Sequence, residues 1–428
     1  EINSMNSNFK RYIIFWLSQA LSQLGSSMTT FALILWTYTQ KGTAMTVSLM
    51  TFFNYLPYII LSLFVGTFVD NHSKKKIMLV SDSIAAICSL AIFCLNSGNA
   101  LQIWHIYLVN MIIGFMGAFQ DPASDVALGK VVPKEKLEQI SGMNSFSDNL
   151  VAVLSPVFAA FLFAFGGLKL ILIIDLSSFL FAFLILLFVL RIPDDIPQKA
   201  EKKSVFIGCK EGLQYLKQHN GIFLVIITMA VLNFFSRLTY ENILSPMILS
   251  RSANDSVTLG IVNAVMGIGG IIGGIIVSSG KIKANSAKMI YLSAMLSFLL
   301  GDIMMGLGRN GIVWSLAGLA ASLPIPFINA GQMVILYRNV PEDMKGRIFA
   351  VRNAVQFSSI PLGILLGGLL ADYVFEPFML TQNPITQVLH KLVGEGAGSG
   401  MAVMFLCTGI LGSLFSFAFY QRKDIRNL

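Results

Sequence analysis

Charge is what this sequence has least of. Only 12% of its 428 residues are Asp, Glu, Lys or Arg, about half the share of a water-soluble domain. So little polar surface cannot cover a soluble globule. Histidine and cysteine are equally sparse, four of each. His72, His105, His219 and His390 are scattered. Cys88, Cys94, Cys209 and Cys407 show no metal-ligand spacing and read as reduced core thiols. No glycine-rich loop ends in Lys-Ser or Lys-Thr, which argues against nucleotide hydrolysis. The glycine-rich run from Gly267 to Gly274 lies inside an apolar stretch and reads as close helix packing. No Ser-His-Asp arrangement can be argued. The chain reads as no enzyme, with no cofactor and no metal.

What is there instead is apolar: 55% hydrophobic residues, with 33 Phe and 36 Gly. A bilayer core needs about 20 apolar residues per helix. Runs of that kind fall near 12–38, 45–69, 77–96, 101–127, 140–165 and 168–190. After a polar stretch they resume near 221–249, 257–279, 288–307, 312–336, 347–373 and 400–421. The first run is long enough to span, so it is not a cleavable signal peptide. Met5 reads as a natural start, which leaves residues 1–4 as an extension of other origin.

Twelve spans put both termini on one side. Of the 30 Lys and Arg, 24 fall in the segments on that side and five on the other. Arg237 alone lies within a span. This asymmetry makes the basic side cytoplasmic. The net charge of +8 therefore sits in short loops between apolar runs, which argues against a nucleic-acid partner. The expected setting is a bacterial-type cytoplasmic (inner) membrane, with a multi-pass chain, both termini cytoplasmic, lipid around it and a monomeric state.

The polar stretch divides the chain into bundles at 1–191 and 221–428, joined by a linker at 192–220. Within the linker Phe206, Cys209, Leu213 and Leu216 share a face at helical spacing, which predicts an amphipathic helix on the cytoplasmic surface. A plain solvated linker is the alternative. The long segment 374–399 on the opposite side has no assigned role.

The two bundles repeat. Gly66 and Asp70 close span 2 ahead of Lys74, Lys75 and Lys76, and Gly274 and Ser278 close span 8 ahead of Lys281 and Lys283, 208 residues later. Val132-Pro133 after span 4 recurs at the same offset as Val340-Pro341 after span 10. Two landmarks with one offset give two pseudo-symmetric six-helix bundles, a known transporter design.

The loop from Gly66 through Asp70 to Lys76 resembles the signature loop between helices 2 and 3 of the major facilitator superfamily. Asn71 replaces the usual basic residue, and Ser73 the usual Gly. The resemblance covers nearly the whole chain and implies an all-α membrane protein of the MFS fold. Within the superfamily, the chain is similar to drug exporters of the macrolide-efflux type. That similarity rests on Leu56-Pro57-Tyr58, Lys75-Lys76-Ile77-Met78 leading to Asp82, Phe119 to Ala123, Ser155-Pro156 and Gly346-Arg347-Ile348-Phe349. Two features depart from the exporter pattern. Asn110, four residues before Gly114, stands where exporters often carry an Arg, and Ser155-Pro156 is followed by Ala159-Ala160 rather than a glycine pair.

An ionisable group inside a span needs a reason, because burying it costs about 2.5–3.5 kcal/mol on insertion scales. Arg237 and Glu241 in span 7 are four apart and share a face. At about 1.5 Å per residue they lie roughly 24 and 30 Å from the cytoplasmic end. The resemblance makes helix 7 cavity-lining. Two readings stand: Glu241 exchanges a proton under the bias of Arg237, or the pair only holds an outer gate. Asp148 in span 5 is a candidate for a cationic substrate or a proton, or else a capped polar residue beside Asn144 and Asn149. Gln19, Gln23, Asn54, Asn233, Asn263, Asn329 and Gln356 are candidates for the cavity wall, or for bridges between helices. Asp175 in span 6 and Asp302 in span 9 are read as structural, on helices that are usually peripheral. The resemblance implies a cytoplasmic gate in which Gly66 and Asp70 hold the two halves together. Asp82 is expected to join Lys74 and Lys75 there, with Arg347 as the matching region of the second half.

These features together predict a secondary transporter working by alternating access, with proton-coupled efflux of a small amphipathic drug or natural product. The alternatives are a nutrient, metabolite or lipid translocator of the same fold, and a receptor or scaffold that does not transport.

Overall fold

The computed structural model describes residues 2–70, 72–131, 137–189, 205–279 and 285–426. The chain folds into two compact units, Glu1–Thr37 with Phe52–Lys202, and Tyr38–Thr51 with Lys203–Leu428.

The first unit is built on α1 (Ile2–Lys41) up to Thr37, α2 (Ala44–Asp70) from Phe52, α3 (Lys74–Ser97), α4 (Ile103–Val131) and α5 (Leu137–Phe188), while the end of α1 and the start of α2 belong to the second unit. In hydrocarbon every backbone N–H and C=O must be paired within the chain, and a helix does this locally. The 52-residue α5 is really two helices. Gly167, at φ 60° and ψ −161°, breaks it in a conformation that side chains other than glycine rarely adopt. The break falls in the gap between the expected spans 5 and 6. The core of this unit gathers Val65, Val69, Ile77, Met78, Ala118, Ala123 and Leu186. Helices α2 and α4 meet closely at Gly114, where a Cβ would stand 2.0 Å from the carbonyl oxygen of Asn54.

The second unit contains α6 (Val205–Gln218), α7 (Asn220–Thr239), α8 (Leu244–Arg251) and α9 (Ser256–Ser278). Next come α10 (Ser286–Leu296), a π-helical stretch Ser297–Asp302, α11 (Ile303–Leu307), α12 (Gly311–Ser322) and α13 (Ile325–Asn339). Then follow α14 (Glu342–Leu370), a second π-helical stretch Ala371–Phe375, α15 (Glu376–Met379), α16 (Pro384–Val393) and α17 (Ser399–Tyr420). Val225, Met229, Leu232, Ile290, Tyr291 and Ile335 form one core. The linker helix α6 seats Leu216 in a second core with Ile222, Ile226, Leu336 and Ile348. Thus α6 packs on the second unit. Phe206 and Cys209 lie outside the residues whose side chains are described.

Ten helices among the described residues are long and apolar enough to cross a membrane. One of them, Ser147–Phe188, holds the two passes joined at Gly167. Large apolar side chains such as Ile87, Phe165 and Ile275 stand exposed along these helices, as a lipid-facing surface requires.

Several expected spans are not single helices. Span 7 breaks between α7 and α8, because Pro246 has no N–H and its ring would crowd the carbonyl four residues back. Span 9 contains the π-helical stretch at Ser297–Asp302. Span 10 breaks next to Pro324, which leads into α13 with Pro326 in its first turn. The unassigned segment 374–399 is largely helical. It includes α16, whose N-terminus Asn383 closes with a reciprocal side-chain and backbone cap to Thr386.

Candidate functional site

The break in span 7 positions the pair of charges found in its sequence. Arg237 lies in the last turn of α7, and Glu241 lies in the turn that precedes α8. The positive group is near a helix C-terminus and the negative one ahead of a helix N-terminus, so each sits where the backbone dipole favours it. The two form an ion pair, part-buried on both sides. The turn is pinned by fully buried Asn242, whose Nδ2 donates to Ser48 Oγ at 2.7 Å and to the Ile364 carbonyl at 2.6 Å. Glu241 is therefore on a turn, not on the continuous helix that its spacing from Arg237 suggested.

The ion pair opens onto a cavity of about 350 Å³ within the second unit. Its wall comes from α7, α9, α10, the first π-helical stretch, α12 and α13. Asn233, Ser236, Tyr240, Ser322 and Asn329 supply polar groups, and Met229, Leu232, Met266, Phe298, Ile325 and Ile328 supply apolar ones. Of the ten residues proposed for coupling or for the cavity wall, Arg237, Glu241, Asn233 and Asn329 are thus brought together.

The same cavity is lined by Asp302, which the sequence reading treated as peripheral and structural. Asp302 is 1% exposed. Its Oδ2 accepts a hydrogen bond from Thr408 Oγ1 at 2.7 Å. The neighbouring Tyr240 hydroxyl, buried like Oδ1, is a side-chain hydrogen-bonding partner of the same carboxylate, in a geometry short of a well-formed bond. The π-helical stretch that ends at Asp302 is tied to α12 by Ser297 Oγ, which donates to the Ala321 carbonyl at 2.7 Å. Such stretches are rare and are found frequently at functional sites. An Asp inside an apolar run was the available signal in the sequence. Its inward aim depends on the π turn, which no residue pattern announces.

The other candidates are spread out. In the first unit Gln23 Nε2 donates to Asp148 Oδ1 at 3.0 Å, which joins α1 to α5 at an exposed position. Gln19 Nε2 is buried with no hydrogen-bond partner among the described residues. Asn54 Nδ2 reaches the Asn110 carbonyl at 3.4 Å, a bridge from α2 to α4. In the second unit Asn263 bonds back to Leu259 on its own helix at 3.0 Å, and Gln356 Nε2 is buried with no hydrogen-bond partner among the described residues. Asp175 is held by three hydroxyls: Ser26 at 3.0 Å, Thr29 at 2.9 Å and Ser89 at 3.1 Å.

At the loop between α2 and α3, Lys74 is 2% exposed and Lys75 Nζ donates to the Leu187 carbonyl at 3.0 Å. Asp82 lies two turns into α3, and Lys74 and Lys75 at the start of that helix have partners of their own. Two turns of helix separate it from those lysines. Gly66 and Asp70 lie on α2 and Arg347 on α14, but their side chains fall outside the described residues.

Comparison with known proteins agrees with this architecture. The family model described as Major Facilitator Superfamily matches residues 15–364. Macrolide efflux protein A of Streptococcus pyogenes is 26% identical over 375 residues, covering 86% of this chain and 91% of that protein. The multidrug efflux pump Tap of Mycolicibacterium fortuitum is 22% identical over 374 residues, covering 81% and 86%. Among solved structures, a bacterial homologue of the lysosomal transporter Spinster, inward-facing and unoccupied, superposes with a TM-score of 0.71 at 14% identity, covering 97% of each chain. With the family model spanning most of its length and its helices laid out as in such transporters, this chain belongs to the major facilitator superfamily.

Proposed function

We propose that the protein exports small amphipathic drugs or natural products across a bacterial cytoplasmic membrane, driven by proton entry and working by alternating access. The observation that carries this reading is the Arg237–Glu241 ion pair on the wall of a cavity of mixed polar and apolar lining. Pockets for small molecules are largely apolar with a few placed polar groups, and this cavity has that composition. An ion pair within a span is the type of element that a proton can switch. Protonating Glu241 would release Arg237, and deprotonation would restore the pair. Relatives named for macrolide efflux, multidrug efflux and enterobactin export support the direction and the substrate class. In this reading the two six-helix halves, 1–191 and 221–428, move against each other around the linker. Both termini are cytoplasmic and the monomer is the working unit.

The test is flux in liposomes. Purified protein is reconstituted, a proton gradient is imposed, and movement of a panel of amphipathic compounds is followed with the unchanged chain and with Glu241→Gln. Gradient-driven flux that the substitution abolishes is the expected result. Flux indifferent to the gradient would replace export by facilitated translocation. Driven flux that survives Glu241→Gln would move the coupling elsewhere, with Asp148 next in line.

A further inference from the structure

The segment 374–399 joins one membrane-crossing helix, α14, to the next, α17, and α16 lies in its middle. At 10 residues α16 is about 15 Å long, half of what a crossing needs, so it lies at the membrane surface. It packs on α11, α15 and α17. A helix this short is marginal by itself, and here the fold fastens both ends. Asn383 and Thr386 cap the first turn reciprocally. At the other end the last carbonyls, which have no partner within a helix, accept from two arginines. Arg309 Nη2 donates to the Lys391 carbonyl at 2.8 Å and to the Leu392 carbonyl at 3.3 Å, and Arg251 donates to the Val393 carbonyl. Two cations at a helix C-terminus also suit its dipole. The protein itself therefore forms α16 and fixes its orientation.

The surface of α16 divides into three flanks. Thr386 and Val393 are buried against the protein. Ile385, Val388 and Leu392, within about 60° of one another at about 100° per residue, are 64%, 57% and 47% exposed. Gln387 and Lys391, four apart, occupy the remaining flank and are exposed as well. A bare aliphatic flank beside a polar one is the pattern of a helix lying in a lipid–water boundary.

Three observations identify what covers the aliphatic flank. The first is continuity with the lipid-facing surface. Leu362, Leu366 and Leu369 share an exposed face of α14, and the chain leads on through exposed Tyr373 and Leu380 into α16. The second is charge. Arg309 and Lys391 are exposed at the C-terminal end of α16, and basic groups at a membrane surface are drawn to lipid phosphates. The third is size. Three aliphatic side chains fall far short of the about 800 Å² per partner that a stable protein complex buries.

We propose that α16 is an in-plane membrane anchor, with Ile385, Val388 and Leu392 in the boundary between headgroups and acyl chains and with Arg309 and Lys391 at the level of the phosphates. Arg251, which grips the end of α16, is the last residue of α8, the helix that follows the Glu241 turn. The anchor thus fixes the depth in the bilayer at which span 7 ends.

The experiment uses the otherwise unchanged full chain, one copy per nanodisc of phosphatidylethanolamine and phosphatidylglycerol. A dansyl-bearing amino acid is incorporated in place of Val388, of Leu392 or of Gln387. Its emission is read with aqueous iodide, with lipids carrying a nitroxide near the headgroup, and with lipids carrying it near the chain end. At 388 and 392 the emission should shift to the blue relative to 387. Quenching there should be severalfold stronger by the headgroup-proximal nitroxide than by iodide, and weaker again by the chain-end nitroxide. At 387 iodide should quench best.

Iodide quenching at 388 as free as at 387 would show a flank left in water and would overturn the proposal. Blue-shifted emission that neither nitroxide lipid quenches would show a flank covered by protein and would overturn it too. Stronger quenching by the chain-end nitroxide would replace an in-plane helix by an inserted one. None of these readings involves flux, so the anchor stands or falls separately from the export reading.

Discussion

Asp372 Oδ2 accepts the backbone N–H of Met45 at 2.6 Å, and its other oxygen accepts that of Ala44 at 3.1 Å. The donors are the first two N–H groups of α2, which have no partner within their own helix. A carboxylate from the π-helical stretch after α14 thus serves as the cap of a helix more than three hundred residues earlier in the chain. Asp372→Ala should lower stability by about 1–2 kcal/mol, the usual cost of losing a charged cap. Thermal unfolding of the detergent-solubilised protein checks this, with Asp372→Asn expected to fall between the two.

The two readings of Arg237 and Glu241 separate in a double-mutant cycle. Each single change, Arg237→Gln or Glu241→Gln, strands a charge. The double variant should recover stability, with a coupling of about 0.5–3 kcal/mol for a contacting pair. If the pair were only a lock, transport would recover with it. The expected outcome is that stability returns and gradient-driven flux does not, because the proton carrier is gone.

Asp175 offers the opposite contrast. Replacing it with Leu leaves the hydroxyls of Ser26, Thr29 and Ser89 without their acceptor. Stability should fall by about 1–3 kcal/mol. Substrate affinity of the folded fraction should be unchanged, since Asp175 lies outside the cavity lining. Unfolding temperature and equilibrium binding on the same preparation give both numbers.

Gly114→Ala tests the approach of α4 to α2. The new methyl would meet the Asn54 backbone carbonyl, not a flexible side-chain end, so the helices themselves must shift. Overpacking of this kind costs about 1–3 kcal/mol. A lower unfolding temperature is expected, together with loss of the bond from Asn54 to the Asn110 carbonyl.

Much of this was legible in the residues. The apolar runs located the membrane-crossing helices, and the gap between the runs at 140–165 and 168–190 falls where α5 divides. Charges inside a span pointed to Arg237 and Glu241, and the spacing of four brought them into contact even though the helix breaks between them. The break was written in Pro246 but was masked by the continuous apolar run around it. Asp302 was visible as a residue and misjudged as to direction. A helical wheel turns about 100° per residue, and the π stretch before Asp302 violates that count. The partners of Gln23 and of Asn54 were out of reach for a different reason. Polar residues within spans can bridge any two neighbouring helices, and pattern alone does not choose which.

The π-helical stretch in span 9 has a mechanical meaning. It amounts to one extra residue in the turn, which rotates everything after it relative to everything before. Ala287, Ile290 and Tyr291 before it face the core shared with Ile335 on α13, while Gly306 after it lies against Ala402 on α17. Deleting a single residue between Ser297 and Asp302 would take out that extra residue and turn the acid by about 100° relative to the residues before it, while leaving the length of the helix almost as it was.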